Sequence, residues 1–235
     1  MNSVSETDER KIQEWNKLLC DFETLVFVDK TPQLKQLLNE FDAQQTNWRK
    51  EQEYCADNFN ILRTMGVGRK ELCHSDILAW LLDQNETHAQ GNLGFRLFLK
   101  ELNLPNEFAS KKYRVVRELC GEESRIDIVI EAEGEFVIGI ENKIDSEEGE
   151  DQTKREWNDL EKRKTALRVP TDIMAFFLTP DGSSPGNPKF QPLSWHVIAN
   201  IFQAFSEESK AELVRIFAKH YAETLRHDIV SENED

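Results

Sequence analysis

Arg125-Ile-Asp127-Ile-Val-Ile130 and, past a turn at Gly134, Glu135-Phe-Val-Ile-Gly-Ile-Glu141-Asn-Lys143 are the stretch on which the fold turns. In the first run Arg125 and Asp127 alternate with Ile126, Ile128 and Ile130, the two-residue period of a strand with unlike faces. Two such runs joined by a short glycine-containing turn predict an antiparallel hairpin. Tyr113 to Leu119, short and β-branched, predicts a strand just before it. Asp172-Ile-Met-Ala-Phe-Phe-Leu178 predicts a fully buried strand after it.

Helical periods surround these runs. Ile12, Trp15, Leu19, Phe22 and Val26 recur at three- and four-residue intervals, and Leu34, Leu37, Leu38 and Phe41 repeat the pattern after Thr31-Pro32, an N-cap and first-turn pair. Trp48, Cys55, Phe59 and Leu62 predict a third helix ending near Gly66 and Gly68. Ser75 or Asp76 fits the cap of an apolar helix over 77–82, and Phe95, Leu97, Phe98 and Leu102 mark another. A polar helix is expected over 150–166. Residues 180–192, with four of the seven prolines, read as a long irregular loop. From Ser194 the chain returns to helix, through Trp195 to Phe205 and again through Leu213 to Leu225. The expected architecture is α/β, a mixed sheet flanked by helices.

Within this frame the hairpin brings chemistry together. Glu141 and Lys143 stand two apart at the exit of one strand and so share a face. Pairing across Gly134 carries Asp127 toward Glu141. Two carboxylates suit Mg²⁺ or Mn²⁺, hard cations that prefer oxygen ligands, and the Asn142 carbonyl between the side chains offers a further oxygen. Lys143 supplies a fixed positive charge for orienting a water or stabilising a phosphorane-like transition state. Such a set suits phosphodiester hydrolysis.

The sequence is 235 residues long with a formal net charge of −15, which argues against broad, non-specific nucleic-acid binding. The basic residues nevertheless cluster in 111–117 and 162–168, which leaves room for a locally basic cleft or for plain solvated charge. Acids concentrate at both termini and in 145–151. No stretch approaches the ~18 apolar residues of a membrane span, and MNSVSETDERK lacks a secretory pattern, so a cytoplasmic protein is expected. Cys20, Cys55, Cys73 and Cys120 form no C-x-x-C pair and are expected to be reduced packing residues.

R-I-Asp127-I-V-I and Glu141-N-Lys143-I, with thirteen residues between Asp127 and Glu141, resemble the PD-(D/E)xK nuclease superfamily, and in particular a bacterial and phage branch of it. The resemblance implies a restriction-endonuclease-like core of helix, three-stranded meander, helix and strand, in the order just read. Glu71-x-x-His74-Ser75-x-Ile-Leu-Ala-Trp-Leu-Leu resembles that branch's first-helix motif, which implies that Glu71 joins the metal site. Gln152 matches the glutamine on the helix that follows. Phe-Leu-Thr-Pro-Asp-Gly (177–182) with Leu193-Ser-Trp195 resembles the later strand, loop and helix. Many relatives have a tyrosine four residues after the glutamine; this chain has Glu156, with Trp157 beside it. The likeness covers residues 55–230, leaving 1–54 as an N-terminal helical extension and 231–235 as an acidic tail.

The expectation is therefore a Mg²⁺- or Mn²⁺-dependent nuclease acting on DNA. Asp127, Glu141 and Lys143 are its catalytic residues, with Glu71 and Asn142 as further metal ligands and Arg125, Gln152, His74 and Ser75 as substrate-binding or supporting residues. RNA as substrate is not separated from DNA. A different class of reading also stands: a weak or inactive nuclease fold that binds nucleic acid or protein, with the N-terminal helices docking a partner or a second copy. For Asp127 and the Glu141–Lys143 pair the plain alternatives are a satisfied buried acid and a surface ion pair worth under ~1 kcal/mol.

Overall fold

The computed structural model describes residues 13–18, 32–56 and 58–230. Ile12, Leu19, Cys20, Phe22, Val26, Thr31 and the tail 231–235 lie outside the described residues. The chain divides into two compact units, 1–60 and 61–235.

In the first unit, helical backbone over 13–18 (α1) sets Trp15 against Phe41, their rings stacked at 5.7 Å. Phe41 belongs to α2, Pro32–Cys55, which at 24 residues extends about 36 Å. Pro32 takes the first helical position, where its missing N–H is harmless. The single third helix expected from Trp48 to near Gly66 and Gly68 does not form. With no glycine or proline between Gln33 and Cys55, α2 simply runs on and breaks at Ala56, whose φ is +46°. Leu34, Leu38 and Phe41 make a half-buried stripe, while Leu37, Trp48 and Tyr54 stay exposed.

The second unit opens with the short α3, Ile61–Thr64, followed by α4, Glu71–Leu82. Ser75 and Asp76, expected as caps, sit one turn inside α4, because the chain already enters the helix at Lys70–Glu71. Next come α5 (Leu93–Glu101) and a 3₁₀ turn (Asn106–Ser110). The strands are β1 (Arg114–Cys120), β2 (Arg125–Ala132), β3 (Phe136–Asn142), β4 (Met174–Thr179) and β5 (Gln191–Ser194). Helix α6 (Gln152–Ala166) joins β3 to β4, and α7 (Trp195–Glu208) and α8 (Glu212–Thr224) close the chain, with a π-helical turn at Leu225–Val230.

The five strands lie in the order β1-β2-β3-β4-β5. β1–β2 and β2–β3 pair antiparallel; β3–β4 and β4–β5 pair parallel. Gly134, at φ +71°, turns the hairpin where a side chain would be strained. The short strand β5 was not expected. Pro192 masks it, and it survives at the sheet edge, where a missing N–H is tolerated.

Helices cover both faces. Ile128, Ile130, Ile138, Ile140, Phe176 and Leu178 join the core under α4, α5, α7 and α8. Val129, Val137, Ala175 and Phe177 join a smaller core with Leu160 of α6. Gly139 lets α6 approach closely, since a Cβ there would lie 2.8 Å from Leu160 Cδ1. Buried on both faces, β3 carries Glu141 and Asn142 to the end of the sheet inside the protein.

Candidate active site

The β2–β3 ladder ends at Ile128 opposite Ile140. One step further in the same register stand Asp127 and Glu141. The sheet turns over at this point: Ile128 packs in the larger core, but Ile126 packs in the core under α6. Across β1 from Asp127, Glu118 holds a φ of +48°. Freed from the ladder, the Asp127 carboxylate accepts the Asn142 N–H at 2.9 Å through Oδ2. Arg117 of β1 backs the same residue by donating to the Asp127 carbonyl, and it also pairs with Asp76 at 2.8 Å.

Glu141 points to the α6 side and is only 2% exposed. Its Oε1 lies 3.1 Å from Lys143 Nζ and accepts the Gln152 amide at 2.5 Å. Gln152 Nε2 also donates to Glu156 Oε1 at 2.8 Å, one helical turn along α6. Glu71, at the start of α4, enters from the opposite side of the sheet. Its Oε2 accepts the Ile144 N–H and the Ser146 hydroxyl, both at 2.9 Å, just beyond Lys143. Asp127, Glu141, Lys143, Glu71 and Gln152 thus gather at one end of the sheet, on four elements and the loop after β3.

Burial dominates the electrostatics. It pushes the Asp127 carboxyl up, against the Asn142 N–H and the Lys143 and Arg117 charges. Burial and the neighbouring Asp127 charge push Glu141 up to about 7. Glu156 goes further, to about 9, through burial and the charge of Glu141. Burial alone would lower Lys143, but Glu141, Glu71 and Asp127 outweigh it and hold the ammonium above its ordinary value. The four acids Asp127, Glu141, Glu156 and Glu71 outnumber the cations Lys143 and Arg117.

That imbalance bears on a metal. Among the described residues no three His, Cys, Asp or Glu side chains form a ready cage. Mg²⁺ needs none, because it keeps several waters and binds through one or two carboxylates. Glu141 Oε2 and Glu156 Oε2 are buried oxygens without a hydrogen-bond donor. An all-oxygen set with excess negative charge and an orphaned carboxylate oxygen fits a hard divalent cation.

His74 and Ser75, on α4, are both buried. His74 is fully buried between the Tyr221 hydroxyl and the Gly68 carbonyl, each at 2.7 Å, and burial lowers its pKa. Ser75 accepts the Asn142 side-chain amide at 2.9 Å; the same amide reaches the Glu71 carbonyl at 3.2 Å. Trp195 Nε1 donates to Asn142 Oδ1 at 3.1 Å. Asn142 therefore ties α4 and α7 to β3 beside the site. Arg125 is exposed and 3.5 Å from Glu118. The arginine beside Asp127 is Arg117, which the spacing did not single out.

Six of the eight cations in the two basic runs are engaged. Lys111, Arg114, Arg117, Lys162, Arg163 and Lys164 are all paired with acids of the same unit. Two acids of 145–151 are likewise engaged: Asp145 with Arg69 at 2.7 Å, and Glu148 with the Gly186 N–H at 2.7 Å and with Thr153. Trp157 lies on α6 with the Lys189 ammonium 4.6 Å above its ring, beside a cavity of about 620 Å³.

The profile of the PD-(D/E)XK nuclease superfamily matches residues 59–235, three quarters of the chain. The chain belongs to this superfamily. No curated protein and no solved structure matches it significantly. The superfamily's core order of helix, meander, helix and strand is that of α4, β1-β2-β3, α6 and β4. In this PD-(D/E)XK chain Asp127 lies on β2, Glu141 on β3 and Lys143 directly after β3. Among the described residues no helix is long and apolar enough to cross a membrane.

Proposed function

We propose that this PD-(D/E)XK protein is a Mg²⁺- or Mn²⁺-dependent nuclease that hydrolyses phosphodiester bonds, with DNA as its substrate. The observation that carries the reading is Asp127, Glu141 and Lys143 meeting where the β2–β3 ladder ends, with a Glu141 oxygen left unpartnered. Asp127 and Glu141 would hold the cation, with the Asn142 carbonyl and Glu71 as further oxygen ligands. A cation held by these residues would supply a lowered pKa for a water and a charge to offset that on the scissile phosphate. Lys143, held protonated by its acidic neighbours, serves as a donor and fixed charge and not as a general base. It orients the attacking water or stabilises the charge that builds on the phosphate. Gln152 keeps Glu141 turned toward Lys143.

The test is a cleavage assay on linear, circular, single-stranded and branched DNA, and on RNA, with Mg²⁺ or Mn²⁺, beside Lys143→Ala. Metal-dependent, Lys143-dependent release of nucleotides supports the reading. Failure on every substrate with both metals overturns it.

A second role, docking of a protein partner or a second copy through the N-terminal helices, is favoured by the exposure of Leu37, Trp48 and Tyr54 on α2. Leu37→Glu with Trp48→Glu should then dissociate a complex seen by light scattering, without altering cleavage. A wild-type chain that is monomeric and captures no partner removes this role.

A further inference from the structure

Glu156 has no task in the chemistry above, yet it is completely buried in the site. A buried acid is expensive unless something needs it there. Lys143, the nearest cation, is already engaged by Glu141 at 3.1 Å. An apolar side chain at 156 would pack α6 on the sheet with no such penalty. What Glu156 does touch is specific. The amide nitrogen of Gln152 reaches Glu141 Oε1 at 2.5 Å and Glu156 Oε1 at 2.8 Å, so one group clamps both carboxyls side by side. The second oxygen of each carboxyl is buried with no hydrogen-bond partner.

We propose that Glu156 is a positioning residue that fixes the Glu141 carboxylate through the shared Gln152 amide, so that a divalent cation meets it already oriented. The inference rests on the nuclease reading of the site. Without this prop, Glu141 keeps its charge but gains rotamer freedom, and Gln152 loses one of the two partners that hold its amide. Groups that orient metal ligands in this way typically change metal affinity or activity by about 10–100-fold when removed.

The experiment measures Mn²⁺ binding to the substrate-free full chain from the EPR signal of free Mn²⁺, beside cleavage and thermal melting. Wild type is compared with E156Q, E156L and Q152L. E156Q keeps an oxygen acceptor for the Gln152 amide at the same size and should bind Mn²⁺ nearly as wild type does. E156L should melt no lower than wild type, yet bind Mn²⁺ about 10-fold or more weakly. Q152L should show a similar loss, which serves as the measurement if E156L does not fold. Unchanged Mn²⁺ affinity in E156L, or an equal loss in E156Q and E156L, overturns the role of Glu156 alone. Wild type that binds no Mn²⁺ overturns the metal-dependent reading of the site, and this role with it.

Discussion

The backbone N–H of Asn142 donates to Asp127 Oδ2 at 2.9 Å, a bond that keeps β2 and β3 joined one step beyond the end of their ladder. Asp127 is therefore both an acid of the site and a structural acceptor, and two substitutions separate these roles. Asp127→Asn retains an oxygen acceptor but not the charge. It should abolish cleavage and leave the urea midpoint close to wild type, within about 1 kcal/mol. Asp127→Ala loses the acceptor as well and should cost a further ~1–2 kcal/mol by leaving the Asn142 N–H unpaired. Equal stability of the two variants would show that the bond contributes nothing.

Lys143 faces Glu141 at 3.1 Å with only 14% of its side chain exposed. Its ammonium competes with any cation for the same carboxylate. Lys143→Ala should therefore bind Mn²⁺ at least as tightly as wild type while cleavage falls about 10²–10³-fold, the range for removing one preorganised charge from a reaction site. Calorimetry of Mn²⁺ binding, run beside a nucleotide-release assay, separates the two effects. Weaker Mn²⁺ binding in Lys143→Ala would mean that the lysine organises the acids and does not oppose the cation.

Asn142 is fully buried, and its side chain serves three partners: Ser75, the Glu71 carbonyl and Trp195 Nε1. Truncation to alanine strands those polar groups inside the protein. Asn142→Ala should lose about 2–4 kcal/mol by chemical denaturation, given a penalty of ~1–3 kcal/mol for each buried group left unpaired. Trp195→Phe keeps the packing but drops one donor, and should cost about 1–2 kcal/mol on the same scale. Both should weaken cleavage, because α4 carries Glu71 into the site.

Asp127, Glu141 and Lys143 were legible in the sequence because strand parity is local: two residues apart means one face, and a glycine turn fixes which strands pair. The mixed sheet and its flanking helices were legible for the same reason. Asn142's partners were not. Ser75 and Trp195 lie 67 and 53 residues away in sequence, and no short-range period links them to β3. Ser75 was open to a cap reading because serine favours caps, whereas the chain had already entered α4 at Glu71. Arg117 and Arg125 look alike in sequence. Only the turning-over of the sheet at Asp127 brings one of them beside the acid and leaves the other at the surface. The continuous α2 shows the limit of periodicity: the apolar spacing was compatible with two helices, and the absence of a breaker decided for one.

Gly94 of α5 lies directly against α4. A Cβ on residue 94 would meet the Leu81 carbonyl oxygen at 2.0 Å, and that oxygen is backbone and cannot turn aside. Gly94→Ala should force the two helices apart and destabilise the protein by roughly 3 kcal/mol, at the upper end of ordinary overpacking. Urea denaturation reads the loss directly. A wild-type midpoint in this variant would mean that α5 can slide at no cost.

The raised carboxyls of the site set a sign for stability against pH in the metal-free protein. Glu156 ionises near its ordinary 4.5 in the unfolded chain but at about 9 when folded, and Glu141 at about 7. Between 4.5 and those values the folded state binds more protons than the unfolded one. Stability from these groups is therefore fully present below pH 4.5 and lost as pH rises, through about 7 for Glu141 and about 9 for Glu156. Each group can steepen the decline by at most about 1.4 kcal/mol per pH unit. Glu156→Gln removes one of these groups and relieves the other of a neighbouring acid. Its urea midpoint should thus fall less than that of wild type between pH 5 and 9, measured with a chelator present. Adding Mg²⁺ at pH 8 should raise the wild-type midpoint, since the cation binds only the folded site. Parallel pH profiles for wild type and Glu156→Gln would mean that Glu156 is not the group holding a proton in the folded protein.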